Sequence, residues 1–188
     1  MKNTVVLVMS GMLMLLLQNC YGQSASKQSE QKKAAEYSRT DAAPVNKSNQ
    51  DWQKILSPEV YEVARLKGTE RPFTSAYEHS KEVGTFYCAV CGNALFKSDA
   101  KYESGCGWPS FFEPINKKSI MEAKDNSHGM RRIEVMCGRC KSHLGHVFDD
   151  GPPPTGLRYC INGVVLDFEK AKSAEKKYSA GKKANSGS

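Results

Sequence analysis

Apolar and polar positions divide this chain into three regimes. Val5 to Leu17 is a mostly apolar run of 13 residues that follows Lys2 and turns polar at Gln18 and Asn19. Gln23 to Gln50 is dominated by Ser, Gln, Lys, Ala and Asn, with Tyr37 as its only aromatic residue. From Asp51 onward short apolar pieces recur between turn residues, and this patterned stretch ends near Phe168.

Within the patterned stretch, Ser57 and Pro58 mark a helix start, with Ser57 as cap and Pro58 in the first turn. Val60, Val63 and Ala64 follow at helical spacing, and Gly68 is the predicted stop. Trp52, Ile55 and Leu56 just upstream are expected to pack on the same core. After Pro72 the apolar pieces are strand-like: Thr85 to Tyr87, Ala94 to Phe96, Arg131 to Val135, His146 to Phe148, Leu157 to Ile161 and Val164 to Phe168. Gly, Pro, Asn and Ser separate them, which is the spacing of a small, mostly antiparallel β domain. No alternation of strand and helix appears, and no internal repeat.

The ends read differently. A short apolar core behind one lysine has the proportions of a secretory signal peptide over residues 1–22, and it is shorter than the roughly 20 apolar residues a membrane-spanning helix needs. Its two readings are a lipoprotein signal ending at Cys20, which would leave a lipid anchor there, and cleavage near Gly22 or Ala25. Either implies an exported, periplasmic or envelope-associated protein. Residues 23–50 cannot bury enough apolar surface to order themselves and are expected to form a flexible tether. Residues 169–188, rich in Lys, Ala and Ser, are expected to form a flexible basic tail.

Charge changes the picture once it is located. The net charge of +7 suggests a nucleic-acid partner, yet residues 51–168 hold 15 Lys+Arg and 15 Asp+Glu. The whole excess lies in the ends. A neutral domain has no surplus with which to neutralise phosphates, which argues against nucleic-acid binding.

Six of the seven cysteines lie in the patterned stretch. Cys88 with Cys91, and Cys137 with Cys140, form two CxxC pairs. Two such knuckles brought together offer a closed Cys₄ site suited to structural Zn²⁺. The competing reading is three disulfides in an exported chain. Zinc is favoured because a disulfide within one CxxC is strained. Haem attachment is disfavoured, since Gly92 and Lys141 stand where that motif needs His. A redox CxxC of the thioredoxin kind expects a strand-and-helix context that this sequence lacks.

Cys106 and Cys160 remain. Cys106 lies in SGCGWPSFF, Ser104 to Phe112, where Gly105 and Gly107 free the backbone around the thiol and Trp108 with Phe111 offers an aromatic surface for substrate. The aromatic cluster is also readable as core, and for Phe111 or Phe112 singly that is the better reading. Cys160 lies in a predicted strand, so Arg158, Cys160 and Asn162 share one face. A guanidinium there favours the thiolate, which makes Cys160 the expected more acidic thiol, and Asn162 adds an amide able to orient a polar group. A half-buried structural cysteine beside a surface arginine is the plain alternative. His143 and His146 are readable as zinc ligands, as core histidines or as proton carriers, and four cysteines already filling a zinc site favour the last.

The motifs CxxC, SGCGWPSF, CxxCxxHLGHVFDDGP and PTGxRYCIN, in that order, resemble the B-type methionine sulfoxide reductases, over roughly Leu56 to Phe168. The resemblance implies small antiparallel sheets in a barrel-like domain with a short N-terminal helix. It implies Cys160 as catalytic and Cys106 as resolving cysteine, with one structural zinc on Cys88, Cys91, Cys137 and Cys140. His143, His146, Arg158, Asn162 and Trp108 match positions that line that family's active site. The implied substrate is the R epimer of methionine sulfoxide in oxidised proteins, and the implied reductant is thioredoxin-like. Gly163 departs from the pattern, standing where the family usually has Ser.

Overall fold

The computed structural model describes residues 36–172. The signal peptide expected over residues 1–22, the anchor at Cys20 and most of the expected basic tail lie outside these residues. Among the described residues no helix is long and apolar enough to cross a membrane.

Two short helices open the domain, α1 (Asn49–Gln53) and α2 (Pro58–Leu66). The cap expected at Ser57 forms: its Oγ accepts from Val60 N, Pro58 sits in the first turn, and Val60, Val63 and Ala64 are the buried stripe. The left-handed residue that ends α2 is Lys67, φ 62°, one position before the expected Gly68. Gly68 N then donates to Glu62 O at 3.0 Å. That turn carries the Lys67 ammonium to the site described below.

Among the described residues nine strands follow: β1 (Gly84–Cys88), β2 (Ala94–Lys97), β3 (Lys101–Tyr102), β4 (Ser110–Phe111), β5 (Ile120–Asp125), β6 (Arg132–Cys137), β7 (His143–Phe148), β8 (Arg158–Ile161) and β9 (Leu166–Lys170). They form a three-stranded sheet, β2-β1-β9, and a six-stranded sheet, β3-β4-β8-β7-β6-β5. Every recorded strand pair is antiparallel, as expected. The expected barrel-like closure is not seen among the described residues. Neither sheet closes on itself; β3 and β5 are the outer strands of the larger one.

The core fills the space between the sheets. Phe86 and Phe96 of the small sheet meet Phe111 and Tyr159 of the large one, with Phe96 stacked on Phe111 at 4.3 Å and Phe86 edge-on to Phe111 at 5.1 Å. Burying each such ring is worth about 1.5–3 kcal/mol, and favourable ring geometry adds about 0.5–1.5 kcal/mol. Phe111 is fully buried here. Its expected role in holding substrate is therefore corrected: β4 turns Ser110 and Phe111 to opposite faces, and Phe111 takes the core side.

The expected tether is also corrected over its described part. Residues 36–48 lie against the domain, because Arg139 reaches out to them. Its buried guanidinium donates to Ala43 O at 2.8 Å, Ser38 O at 3.1 Å and Asp41 Oδ2 at 2.9 Å, while also holding Cys91 O at 2.5 Å. Backbone bonds from Ser38 N to Cys91 O and from Val45 N to Arg139 O, both 3.0 Å, complete the strap. Tyr37 bonds Asp167, and Arg39 pairs with Asp167 and Glu169. Polar contacts order this segment, which is why its low apolar content misled. At the other end Glu169 and Lys170, expected in the flexible tail, pair with Thr85 and Gly84 as part of β9.

Candidate active site and metal centre

The four CxxC cysteines come together. All four are buried, none is in a disulfide, and their sulfurs lie within 4.8 Å of one another. Cys88 Sγ is 3.8 Å from Cys140 Sγ, and Cys91 Sγ is 3.6 Å from Cys137 Sγ. A tetrahedron with zinc–sulfur bonds of about 2.3 Å has edges of about 3.8 Å, so the donor set fits Zn²⁺ in number, kind and spacing.

Two matching turns build it. Gly92 N donates to Cys88 O at 2.8 Å and Lys141 N to Cys137 O at 2.9 Å; Cys88 N donates to Asn93 O and Cys137 N to Ser142 O, both at 2.8 Å. Both turns need a left-handed residue, supplied by Gly92 at φ 80° and Lys141 at φ 58°. A Cβ on Gly92 would also sit 2.6 Å from Ser38 O in the strap, so this position is closed to side chains twice over. Cys88 ends β1 and Cys137 ends β6, so the centre joins the two sheets.

The second constellation is a row across the large sheet. Tyr102 pairs with Ser110, Ser110 with Cys160, Cys160 with His146, and His146 with Glu134. Directly opposed residues in antiparallel strands project to the same face. The row therefore gathers Ser110, Cys160, His146 and Glu134 on one side, from four strands.

His143 joins them through an irregularity. Val135 pairs with Gly145 but Met136 pairs with His143, so Leu144 is an extra residue in β7. In a regular strand residues 143 and 146 face opposite ways. The bulge restores them to one side, with ring centroids 5.4 Å apart. Leu144 itself goes fully into the core.

Each histidine is held by a carboxylate. His143 Nδ1 is 2.9 Å from Glu134 Oε1, and Lys67 Nζ is 2.7 Å from Glu134 Oε2. His146 Nε2 is 2.8 Å from Asp125 Oδ2, which also takes Arg132 at 2.7 Å. Burial pushes His143 below its usual range despite Glu134, which leaves the ring neutral. Its Nε2 is buried with no hydrogen-bond partner in the protein. Such an orphan costs free energy unless a water or substrate group meets it. Neither histidine is part of the four-residue ligand group.

Cys106 Sγ lies 3.5 Å from Cys160 Sγ, and both thiols are free and half-buried. Gly105 and Gly107, at φ 72° and 93°, let the loop fold back to bring them together. The expected order of acidity is reversed. Burial pushes the Cys160 thiol up, the Cys106 sulfur adds to this, and Arg158 only partly offsets it, leaving Cys160 at about 12. Burial also raises Cys106, but the hydroxyls of Ser104 at 3.0 Å and Ser110 at 3.5 Å outweigh it, so Cys106 falls below the usual thiol range. Arg158 is weaker than expected because it is engaged: its Nε and guanidinium terminus each donate to Asp150 at 2.8 Å, over the ring of Phe148.

Asn162 is corrected too. Its Oδ1 accepts from Glu70 N at 3.0 Å and its Nδ2 donates to Leu144 O at 2.9 Å, so the amide is buried and engaged in bracing the backbone. Trp108 is half-buried beside the Cys106 loop, its Nε1 donating to Glu70 O at 3.2 Å. Sequence reasoning missed Glu134, Asp125, Ser104, Ser110 and Glu70. Only register and bulge disclose the first two, while Ser104 and Ser110 flank Cys106 in the motif and were legible there.

This arrangement supplies a pair of neighbouring free thiols, two oriented imidazoles and a separate Cys₄ cluster able to hold a metal ion. A family model described as the SelR domain matches residues 56–170. Proteins named peptide methionine sulfoxide reductase MsrB are similar over most of their own length. One from Pseudomonas putida (strain W619) is 57% identical over 125 residues, 66% of this chain and 94% of the relative. One from Leptospira interrogans (serovar Lai) is 56% identical over 126 residues, 67% of this chain and 96% of the relative. One from Acinetobacter baumannii (strain AYE) is 54% identical over 135 residues, 71% of this chain and 97% of the relative.

Proposed function

The chain belongs to the SelR-domain family, the B-type methionine sulfoxide reductases, and from that premise we propose that Cys160 and Cys106 reduce the R epimer of methionine sulfoxide in oxidised proteins. The enzyme is a peptide methionine sulfoxide reductase; the division of labour within its site is our reading. The observation that carries it is the 3.5 Å approach of the two free thiols on the face that also holds His146 and His143.

In the first step the Cys160 sulfur attacks the sulfoxide sulfur while the Cys160 proton passes, relayed through the site, to the sulfoxide oxygen. His146, directly across the ladder from Cys160, is the proton carrier, and neutral His143 offers its unpartnered Nε2 to the oxygen or its water. The protonated oxygen then transfers to the Cys160 sulfur as its bond to the substrate sulfur and the new sulfur–sulfur bond both break, so that methionine leaves and Cys160 is left as sulfenic acid. Cys106 thiol then condenses with the sulfenic acid, releasing water and forming the Cys106–Cys160 disulfide. A thioredoxin-like dithiol restores both thiols by exchange. Trp108 holds the substrate's S-methyl group through sulfur–aromatic contact.

Zn²⁺ held by Cys88, Cys91, Cys137 and Cys140 would contribute folding free energy and no chemistry to the sulfoxide. The run from Val5 to Leu17 supports export, with Cys20 as one place for a lipid anchor. The test of the reaction is incubation of the purified chain with separated R and S epimers of a methionine-sulfoxide peptide and a dithiol. Methionine should form from the R epimer; formation from the S epimer alone would overturn the reading.

A further inference from the structure

Glu70 is absent from the thiol row, yet it binds three parts of the site. Its carboxylate accepts Gly163 N at 2.6 Å through Oε1 and Val164 N at 2.8 Å through Oε2. Its backbone N donates to Asn162 Oδ1 at 3.0 Å, and its backbone O accepts from Trp108 Nε1 at 3.2 Å. Asn162 in turn bonds Leu144 O, in the bulge that aligns the histidines. One residue thus links the exit of the Cys160 strand, the histidine bulge and the indole.

The carboxylate is half-buried, and burial, only partly offset by the two backbone N–H groups, raises it above the usual range. A carboxylate spent on two backbone donors is a fixture of the chain path. It sets the turn that follows Cys160 and, through its own main chain, where the indole stands relative to that turn.

The departure at residue 163 fits the same place. A Cβ on Gly163 would lie 1.9 Å from Ser75 Oγ, 2.6 Å from Ser75 Cβ and 3.4 Å from Glu70 Oε1. Ser75 therefore occupies the space that a side chain at 163 would take. Residues 75 and 163 compete for one volume beside the Glu70 carboxylate.

We infer that Glu70 is a positioning residue for sulfoxide reduction, fixing the spacing between the Trp108 indole and the Cys160 strand, with Ser75 filling the cavity left by Gly163. The inference rests on the reading that Trp108 receives the substrate's S-methyl group.

The test uses the full chain carrying 5-fluorotryptophan, whose two tryptophans give two fluorine resonances assigned with Trp108→Phe. Glu70→Gln sets an amide N–H against one of the two backbone donors. It should shift the Trp108 resonance while leaving that of Trp52, and should raise KM for the R sulfoxide about tenfold with little change in kcat, the size expected from losing one charge-assisted hydrogen bond. Gly163→Ser alone should give the same pair of effects, and Ser75→Gly combined with it should reverse them, so the inference stands on a second variant if Glu70→Gln does not fold. An unmoved Trp108 resonance in Glu70→Gln and Gly163→Ser overturns it. So does a shift of both tryptophans with parallel loss of kcat, which marks general damage. If the unsubstituted chain reduces neither epimer, the functional reading fails, while the resonances still report the link from Glu70 to Trp108.

Discussion

Cys160 faces His146 directly across the β7–β8 ladder, with the Cys106 sulfur 3.5 Å from its own. Proximity to Cys106 raises the Cys160 thiol, and burial raises it more, to about 12. In the free enzyme at neutral pH, iodoacetamide should therefore alkylate Cys106 ahead of Cys160. Replacing Cys106 by Ser removes the second of the two raising influences. The pH at which Cys160 becomes reactive should fall in Cys106→Ser, as read from alkylation rate against pH with mass-spectrometric site assignment. An unchanged or higher midpoint would mean that the sulfurs do not interact.

Turnover separates the two thiols. Cys160→Ser should form no methionine even in a single turnover. Cys106→Ser should form one methionine per enzyme and leave a sulfenic acid on Cys160, trappable with dimedone, with recycling by thioredoxin lost. The opposite pattern would exchange the roles.

His146→Ala should slow the single-turnover step by about 10²–10⁴, the usual contribution of a positioned proton donor. Asp125→Asn should cost less, because the ring keeps its strand position opposite Cys160 and loses only the partner at 2.8 Å. Equal losses in stopped-flow traces would instead make Asp125 the more direct participant.

Stability should fall with acid in two stages. Burial lowers His143 below its unfolded value of about 6.5, and Lys67 with His143 lowers Glu134 below about 4.3 despite burial. In both cases the unfolded chain binds protons that the folded chain refuses, so stability is full above the unfolded pKa and is lost as pH falls. The first loss begins near pH 6.5 and the second near pH 4.3. Urea midpoints between pH 7.5 and 5 should decline less steeply in His143→Gln than in the unsubstituted chain.

The strap should matter to the metal centre. Arg139→Leu removes the guanidinium donor from the carbonyls of Ser38 and Ala43 and leaves Cys91 O with Ser38 N alone, and should cost about 1.5–3 kcal/mol in unfolding free energy. Zinc transfer to a colorimetric chelator should be faster in that variant. In Cys88→Ser the domain should fail to hold its fold, seen as loss of near-ultraviolet circular dichroism.

The parts legible in the sequence are those whose signal is local. The cap at Ser57, the stripe at Val60, Val63 and Ala64, and the two CxxC turns each lie within a few residues. Strand β5 was invisible because MEAKD, from Met121 to Asp125, lies mostly on the exposed edge of the sheet and carries no apolar alternation. Strands β3 and β4 span two residues each, too few to show a period. The histidine pair required knowing that Leu144 is bulged, which depends on what β6 offers across the ladder. The thiol order failed for a related reason: Arg158 is close to Cys160 in sequence, but burial, which only the packed structure reveals, outweighs it. Phe111 and Asn162 are polar-or-apolar neighbours of the chemistry whose faces the tertiary contacts decide.

The small sheet is assembled from distant stretches of chain, with β1 flanked by β2 close by and by β9 at the far end of the domain. Such a closure is slow, since a long loop must be drawn in before any contact rewards it. The knuckle at the end of β1 can meet the knuckle at the end of β6 sooner, over a shorter span. An ion bridging them would anchor β1 to the large sheet before β9 pairs with it. A metal ion held by the four cysteines would then be a guide in folding as well as a fastener in the finished molecule, favouring the docking of β1 on the large sheet ahead of its pairing with β9.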